Sequence, residues 1–247
     1  HYENGWFIPS FIDYQLNHIA GTYLNEEKLN AWIKSYKLAT SPGRATVGIV
    51  MAGNIPLAGI HDFISAFISG HKQSVKPSSK DFVLINAIIE KLKEWEPSIA
   101  THITIAQQLK GCDAYIATGS NNSARYFDYY FSKYPHIIRR NRTSVAVLTG
   151  NETTAELEKL ADDVYLYFGL GCRNVTKLYV PRGYDFIPLL EAFKKYNWLS
   201  DNHKYKNNYD YQLAVLIINK LYYMTNGSIL LQENSSLFSP ISQLHYE

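Results

Sequence analysis

The sequence contains few cysteines and no long hydrophobic run. Cys112 and Cys172 are the only thiols among 247 residues, too few for a disulfide framework, and they fit a reducing cytoplasm. No apolar run reaches the roughly 18 to 20 residues that a membrane helix needs. No secretory signal is visible. We therefore expect a cytoplasmic protein without a membrane span.

The sequence also lacks a clear excess of either positive or negative charge. The 24 Lys and Arg residues nearly balance the 22 Asp and Glu residues. This balance produces no strong field for nucleic acid or an anionic membrane, so we expect no nucleic-acid partner. The basic cluster Arg139-Arg140-Asn141-Arg142 is short, and a solvated face or a phosphate contact explains it better than a nucleic-acid site. None of the histidines has a metal-ligand spacing, and we assign no metal.

Hydrophobic residues make up 46% of the chain, as in ordinary globular proteins. Residues 1–40 have helical periodicity, which ends at the break Ser41-Pro42-Gly43. Beyond it, β-branched segments alternate with helical ones, which predicts an α/β fold with a parallel, Rossmann-like sheet. The predicted strands are 46–51, 73–76, 103–106, 113–118, 142–148 and 175–180, and the predicted helices are 56–70, 79–95, 122–131, 153–168, 185–196 and 209–224.

The same pattern predicts several finer features. Ser78 or Ser79 is expected to cap the helix over residues 79–95. The polar tract 203–208 is expected to be a loop, and residues 239–247 a turn followed by a strand. One apolar face of the N-terminal helical region is expected to contain Trp6, Phe7, Ile12, Leu16 and Ile19.

Cys172 is the first candidate for chemistry. It follows Gly169-Leu170-Gly171, and a Gly-x-Gly step lets the backbone turn sharply enough to expose a thiol to a cleft. Nearby amides or a cation such as Arg173 would favour its thiolate. The competing interpretation is a small buried hydrophobic residue, which is the commoner role of a free cysteine. Cys112, just before a predicted strand, is interpreted as structural.

Three strand ends carry candidate ligand-binding residues. Thr118-Gly119-Ser120 opens a helix, where N-terminal amides can meet a phosphate. Lys76 ends a second strand and could hold a phosphate or a ribose, although a lysine there is more often solvated. Asn54 ends a third strand and could donate its amide to an oxyanion, whereas the simpler interpretation is a turn or a helix cap.

The order of these segments resembles that of the aldehyde dehydrogenase superfamily. Five segments of this chain resemble the superfamily's motifs and follow one another in the same order. Asn54-Ile55-Pro56 resembles Asn-x-Pro, Val75-Lys76-Pro77-Ser78 resembles Val-x-Lys-Pro-Ser, and Thr118-Gly119-Ser120 resembles Thr-Gly-Ser. Gly169-Leu170-Gly171-Cys172 then resembles Gly-Gln-x-Cys, and Phe238-Ser239-Pro240 resembles Phe-Gly-Pro. Residues 117–127 and 167–175 further resemble the LuxC-like acyl-CoA reductases, relatives of the fatty-aldehyde-forming enzyme of bacterial luminescence. The resemblance extends from about residue 5 to residue 247. Family members continue at both ends, so we expect a partial chain.

The resemblance implies a fold and a set of roles. Residues 1–143 would form a helical N-terminal segment and a Rossmann-like cofactor-binding domain. Residues 144–247 would form an α/β catalytic domain, with Cys172 in the cleft between the two. Cys172 would be the nucleophile, and Asn54 with the Cys172 amide would form the oxyanion hole. The cofactor's ribose and phosphates would be held by Lys76, Gly119 and Ser120.

The implied reaction is the reduction of acyl-CoA, or another acyl thioester, to an aldehyde by a nicotinamide cofactor. NAD-preferring relatives tend to have a Glu three residues after the lysine. This chain has Ser79 there, and its hydroxyl tolerates a 2′-phosphate. NADP(H) is therefore favoured, while NAD(H) stays open, as does a homo-oligomer.

Two departures from the family pattern bear on the mechanism. Hydrolytic members have a Glu in the segment that corresponds to residues 138–142, which contain no carboxylate. A later family Glu falls on Ser236, with Glu233 nearby but out of register. The missing Glu argues against an aldehyde-oxidising dehydrogenase. An acyl-phosphate reductase and a catalytically inactive scaffold with this fold remain alternatives.

Overall fold

The computed structural model describes residues 3–36 and 45–247. The chain divides into two compact units, one that ends at Asn141 and one from Arg142 to Glu247. The predicted break at Ser41-Pro42-Gly43 lies outside the described residues.

The N-terminal region forms two helices, as its periodicity predicts. They are α1, Pro9–Tyr23, and α2, Glu26–Lys34. The predicted apolar face of α1 is partly wrong. The buried face consists of Phe11, Gln15 and Ile19, whereas Leu16 is 40% exposed. Residues spaced by four lie about one turn apart on the same side of a helix, so these three side chains share one face. Leu16 lies on a different face and points to solvent.

The first unit contains a five-stranded parallel sheet, which confirms the predicted fold class. The strand order is β3-β2-β1-β4-β5. The strands are β1, Thr46–Val50; β2, Lys72–Lys76; β3, Ile103–Ile105; β4, Ala114–Thr118; and β5, His136–Arg139. The helices are α3, Ile60–Ile68; α4, Val83–Trp95; and α5, Asn121–Phe131, with a 3₁₀ turn at Pro97–Thr101. The sequence did not predict β5.

The capping prediction for α4 is wrong. The helix begins at Val83, its N-cap is Phe82, and no side chain caps it. Residues 78–81 form a turn instead, because the Ser78 hydroxyl accepts a hydrogen bond from Lys80 N and the Ser78 carbonyl accepts one from Asp81 N. Ser78 therefore stabilises the turn before α4 and is not the N-cap of the helix.

The second unit contains a mixed five-stranded sheet in the order β6-β7-β10-β9-β8. Only the β8–β9 pair is antiparallel. The strands are β6, Ser144–Val147; β7, Val175–Tyr179; β8, Met224–Thr225; β9, Leu230–Glu233; and β10, Gln243–Tyr246. The helices are α6, Thr154–Tyr165; α7, Ile187–Phe193; and α8, His203–Ile218, with 3₁₀ segments at Leu166–Gly169 and Lys194–Asp201.

Two predictions about α8 need correction. The tract 203–208 is the beginning of α8 and not a loop, because the Asn202 side chain caps the helix by accepting hydrogen bonds from Lys204 N and Tyr205 N. Helix α8 ends at Ile218, six residues before the predicted end. The chain then turns through Lys220, whose φ of 54° is left-handed, towards the unpredicted strands β8 and β9.

Candidate active site

The carboxyl edge of the first sheet brings the predicted cofactor residues together. In the parallel register Val50 on β1 lies opposite Lys76 on β2 and Ala117 on β4. The segments after these strands therefore emerge side by side. The chain moves from β1 outward to β3 and then resumes on the other side of β1 with β4. This reversal is the topological switch point at which open α/β sheets bind ligands.

The turn after β4 forms one side of this edge. Ser120 is the N-cap of α5, and its hydroxyl accepts a hydrogen bond from Ser123 N at 3.2 Å. Gly119 N donates to Arg139 O at 3.1 Å. A Cβ at Gly119 would lie 3.0 Å from Phe127 Cε2 and from Ser123 Cβ. The glycine therefore allows α5 to begin directly at the strand end, where its first-turn amides can meet an anion.

The segment after β2 forms the other side. Lys76 is exposed, and its carbonyl accepts a hydrogen bond from Met51 N at 3.0 Å. Ser79 is also exposed. A Cβ at Gly53 would lie 2.4 Å from the Ser78 hydroxyl. The glycine therefore lets the loop that carries Asn54 pack against the loop that carries Ser79.

Asp81, which the sequence analysis did not single out, supports the Asn54 loop. Asn54 is half-buried, and the nearby Leu57 has a left-handed φ of 54°. The Leu57 amide donates to Asp81 Oδ2 at 2.6 Å. Asp81 is 6% exposed, and burial raises the pKa of its carboxyl from 3.8 to about 6 even though the bond from Leu57 opposes this shift. A buried carboxyl therefore joins the loop after β1 to the turn before α4.

The basic segment after β5 is engaged in ion pairs. The Arg139 guanidinium donates to Asp62 Oδ1 at 2.8 Å and to Asp62 Oδ2 at 3.3 Å. Asp62 lies on α3 and is 6% exposed. Arg140 pairs with Asp128 on α5 at 2.6 Å. The structure thus brings a carboxylate to this segment from elsewhere in the chain, but Arg139 binds both of its oxygens.

In the second unit, a left-handed segment leads to Cys172. Helix α6 ends at Tyr165 and not at the predicted residue 168. The chain leaves the helical conformation at Leu166, whose ψ is 135°, and Tyr167, Phe168 and Gly169 then have left-handed φ values of 56°, 59° and 73°. For a residue other than glycine this conformation costs roughly 1–2 kcal/mol. Phe168 is 1% exposed and packs 5.7 Å from the Tyr205 ring, and the burial of its side chain offsets this cost.

Cys172 itself is exposed and lies between this segment and β7. Gly171 and Asn174 are joined by two hydrogen bonds, so that Cys172 and Arg173 are the central residues of a tight turn. Within the part of the chain that the structure describes, the Cys172 amide makes no hydrogen bond. An exposed thiol beside an unengaged amide suits a nucleophile that attacks a carbonyl carbon, because the amide can stabilise the negative charge that develops on the carbonyl oxygen.

The loop after β9 contains the last candidate residues. Glu233 is exposed at the end of β9, and the Ser236 hydroxyl donates to Phe238 O at 3.0 Å. Thr176 on β7 donates to Leu237 O at 2.6 Å. The fully buried Lys177 donates to Asn234 O and to Glu247 Oε2. The strand that follows Cys172 therefore holds this loop.

Among residues 3–36 and 45–247, no cluster of His, Cys, Asp and Glu could hold a metal ion. In the same residues no helix is both long enough and apolar enough to cross a membrane.

Solved structures of other proteins have a fold similar to that of this chain. The chain is similar to the aldehyde dehydrogenase KauB of Pseudomonas aeruginosa, with a TM-score of 0.65 and 14% identity over 88% of this chain and 56% of that one. For the Mycobacterium tuberculosis aldehyde dehydrogenase complexed with NAD+, the TM-score is 0.60 and the identity 15%, over 81% of this chain and 51% of that one. The chain thus spans about half the length of the structures that it matches.

No curated protein matches the chain. The family described as acyl-CoA reductase (LuxC) matches residues 25–188, well over half of the chain, including Asn54, Lys76, Gly119 and Cys172. This match confirms the resemblance that the motifs suggested. The chain therefore belongs to the acyl-CoA reductase (LuxC) family.

Proposed function

We propose that this chain carries the cofactor-binding and nucleophile segments of an acyl-CoA reductase, in which Cys172 accepts the acyl group. The observation that carries the proposal is the exposed Cys172 on a turn fixed between α6 and β7, within the residues that the family matches. A free cysteine is more often buried, as Cys112 is. Exposure on a tight turn that directly follows a left-handed segment is more typical of a reactive residue.

In the proposed reaction the Cys172 thiolate forms a bond to the acyl carbon, and the CoA thiolate leaves. Negative charge develops on the carbonyl oxygen during this step. Of the two amides beside the thiol, that of Gly171 already donates to Asn174, so the amide of Cys172 is the donor for this oxygen. Asn54 is the proposed second donor.

The first unit has the features that a nicotinamide dinucleotide needs. The strand order reverses at one edge of the sheet, and α5 begins there directly after Gly119, which is the arrangement at which such sheets bind dinucleotides. Gly119 and Ser120 would bind its phosphates, and Lys76 and Ser79 its ribose. Reduction of the thioester to an aldehyde needs a hydride, which is the chemistry that this cofactor supplies when bound. Ser79 favours NADP(H), because its hydroxyl does not repel a 2′-phosphate.

The charges near residues 138–142 support reduction over hydrolysis. Hydrolysis needs a base that deprotonates water beside the acyl carbon. The resemblance would place that base within residues 138–142, where Arg139 and Arg140 cannot serve as bases and pair with Asp62 and Asp128. The thioester on Cys172 is therefore expected to persist until it is reduced or returned to CoA.

Intact-mass spectrometry tests the proposal directly. The protein is mixed with acetyl-, octanoyl- and hexadecanoyl-CoA, and peptide mapping locates any added acyl group. We expect one acyl group on Cys172 and none on Cys112. Acetyl phosphate, supplied in parallel, tests the acyl-phosphate alternative. If no thioester labels Cys172, the proposed function is wrong.

A further inference from the structure

Asn174 lies beside the turn that presents Cys172, and the proposed reaction does not use it directly. Its side chain is buried, with 7% exposure. Its Oδ1 accepts a hydrogen bond from Gly171 N at 2.7 Å, and its backbone N donates to Gly171 O at 3.1 Å. Both bonds join the first and the last residue of the four-residue turn, so the turn cannot open unless Asn174 moves.

The other end of the same amide group holds helix α6. Asn174 Nδ2 donates to Asp163 O at 2.8 Å, to Leu166 O at 3.1 Å and to Val164 O at 3.4 Å. The last carbonyls of a helix have no partners within it, and a buried helix end needs another donor for them. Asn174 is that donor, and it allows the chain to leave α6 at once through the left-handed residues.

The backbone of Asn174 is anchored as well. Its carbonyl accepts hydrogen bonds from Ser144 N and from the Thr143 hydroxyl, both at 3.1 Å. These bonds connect it to the start of β6, immediately before β7 begins at Val175. One residue is therefore bonded to the end of a helix, to the Cys172 turn and to the sheet.

We infer that Asn174 is the positioning residue for Cys172. It fixes the turn so that the thiol faces solvent, and it occupies the Gly171 amide so that, of the two backbone amides, only that of Cys172 is left to donate to the acyl oxygen. Without the side chain, the carbonyls of α6 lose their donor, and the left-handed segment is free to rebuild as further helix. Such a change moves Cys172, and misplacement by about 1 Å costs about 10²-fold in rate. This inference rests on the proposed function.

The test compares Asn174→Ala with Asn226→Ala. Asn226 lies in the turn between β8 and β9 and is bonded in a similar way, because its Oδ1 accepts from Ser228 N and Ile229 N and its Nδ2 donates to Leu190 O. None of these bonds involves the Cys172 turn. Both variants are given octanoyl-CoA, and the rate of acyl adduct formation on Cys172 is measured by intact mass. The rate of alkylation by iodoacetamide is measured in parallel, because a small free electrophile depends little on the exact position of the thiol.

We expect Asn174→Ala to slow acyl transfer about 10- to 100-fold while alkylation changes by less than about threefold. Asn226→Ala should leave both rates near those of the original chain at a temperature where circular dichroism shows it folded. Acyl transfer at the original rate in Asn174→Ala overturns the inference. So does a parallel loss of both reactions, or an equal loss in the two variants, since either reports general destabilisation.

A measurement on the unaltered chain covers the case in which Asn174→Ala does not fold. Residue-resolved hydrogen exchange should show a protected Gly171 amide next to a rapidly exchanging Cys172 amide. Equal exchange at the two amides overturns the inference. Failure of the proposed function has a different signature, namely no acyl adduct on the unaltered chain with any of the three CoA thioesters, and the inference then falls with it.

Discussion

The two cysteines have opposite surroundings. Cys172 is exposed on a tight turn, whereas Cys112 is 3% exposed and packs with Tyr115 and Phe131. Burial raises the pKa of the Cys112 thiol, which keeps it protonated and inert at neutral pH. The sequence interpreted Cys112 as structural and Cys172 as the candidate nucleophile, and the two thiols differ in exposure in the same sense.

Replacement of Cys172 tests its role as the nucleophile. Cys172→Ala should abolish acyl adduct formation and aldehyde production, with a loss on the order of 10⁶-fold, as for a catalytic serine. Binding of NADPH, followed by fluorescence titration, should be unchanged because the proposed cofactor residues lie in the other unit. Cys112→Ala is the control and should keep its activity. Residual activity above a few per cent in Cys172→Ala would require another nucleophile.

Ser79 should influence the choice of cofactor. A carboxylate at this exposed position would repel a 2′-phosphate, and like charges placed together cost several kcal/mol. Ser79→Glu should therefore shift the ratio of NADPH to NADH dissociation constants by at least about tenfold towards NADH. Ser79→Gln, of similar size without the charge, should shift it little. Equal weakening of both cofactors by Glu would show that Ser79 does not face the ribose.

Asp81 should make stability depend on pH. Its pKa of about 6 in the folded chain exceeds the ordinary 3.8, so the folded state binds the proton more tightly. The stabilisation of the folded state by this proton is fully present below about pH 4 and is lost as the pH rises through about 6. Asp81→Asn does not titrate. Relative to it, the original chain should lose about 2–3 kcal/mol of unfolding free energy between about pH 4 and about pH 8. Urea denaturation measures this difference, and parallel pH curves would contradict it.

The order of the motifs was enough to predict which residues gather at the carboxyl edge of the first sheet. Parallel strands place their ends together, so Lys76 and Gly119 could be grouped without coordinates. Asp81 and Asn174 could not be found in this way. Their main partners are backbone atoms of other segments, and no pattern in the local sequence marks such bonds.

At the scale of elements, the long amphipathic segments were predictable and the short strands were not. Strand β5 has only four residues at the edge of its sheet, and its side chains are largely exposed, so it lacks the apolar pattern of a buried strand. Strands β8 and β9 contain two and four residues. Strand β8 is too short to show an alternating pattern, and the first three side chains of β9 are all buried, so neither strand has the period of two that marks a half-buried strand.

The end of α6 should be more important for chemistry than its beginning. Gly169→Ala places a Cβ 3.3 Å from Val164 O in a left-handed residue and should cost roughly 1–2 kcal/mol. Thr153→Ala removes the capping box at the other end and should cost about 1 kcal/mol. Only Gly169→Ala should also slow acyl adduct formation on Cys172, as measured by intact mass. Equal acyl-transfer rates in the two variants would contradict this expectation.

For the whole molecule, we expect a long-lived thioester, because residues 3–36 and 45–247 present no identified base for its hydrolysis. Base catalysis of hydrolysis is typically worth about 10²- to 10⁴-fold, and the two carboxylates identified beside residues 138–142 in the described part of the chain, Asp62 and Asp128, are paired with Arg139 and Arg140. With acyl-CoA and no reduced cofactor, the adduct on Cys172 should persist. NADPH should discharge it to aldehyde, and free CoA should discharge it to acyl-CoA.

Chromatography of the released products provides the check. Rapid formation of free fatty acid in the absence of cofactor would contradict the prediction. It would mean that another carboxylate, of which Glu233 at the exposed end of β9 is one candidate, reaches the acyl carbon.

The place of β10 in its sheet has a consequence for how the second unit folds. This strand lies between β7 and β9 and pairs with both, although it follows them in the chain. Until residues 243–246 have been synthesised, β7 and β9 each have an open edge, and the chain beyond Cys172 has no neighbour on that side. Such long-range pairing is slow to form, and open strand edges favour aggregation. The sheet around the strand that follows Cys172 is therefore complete only after residues 243–246 have been added to the chain.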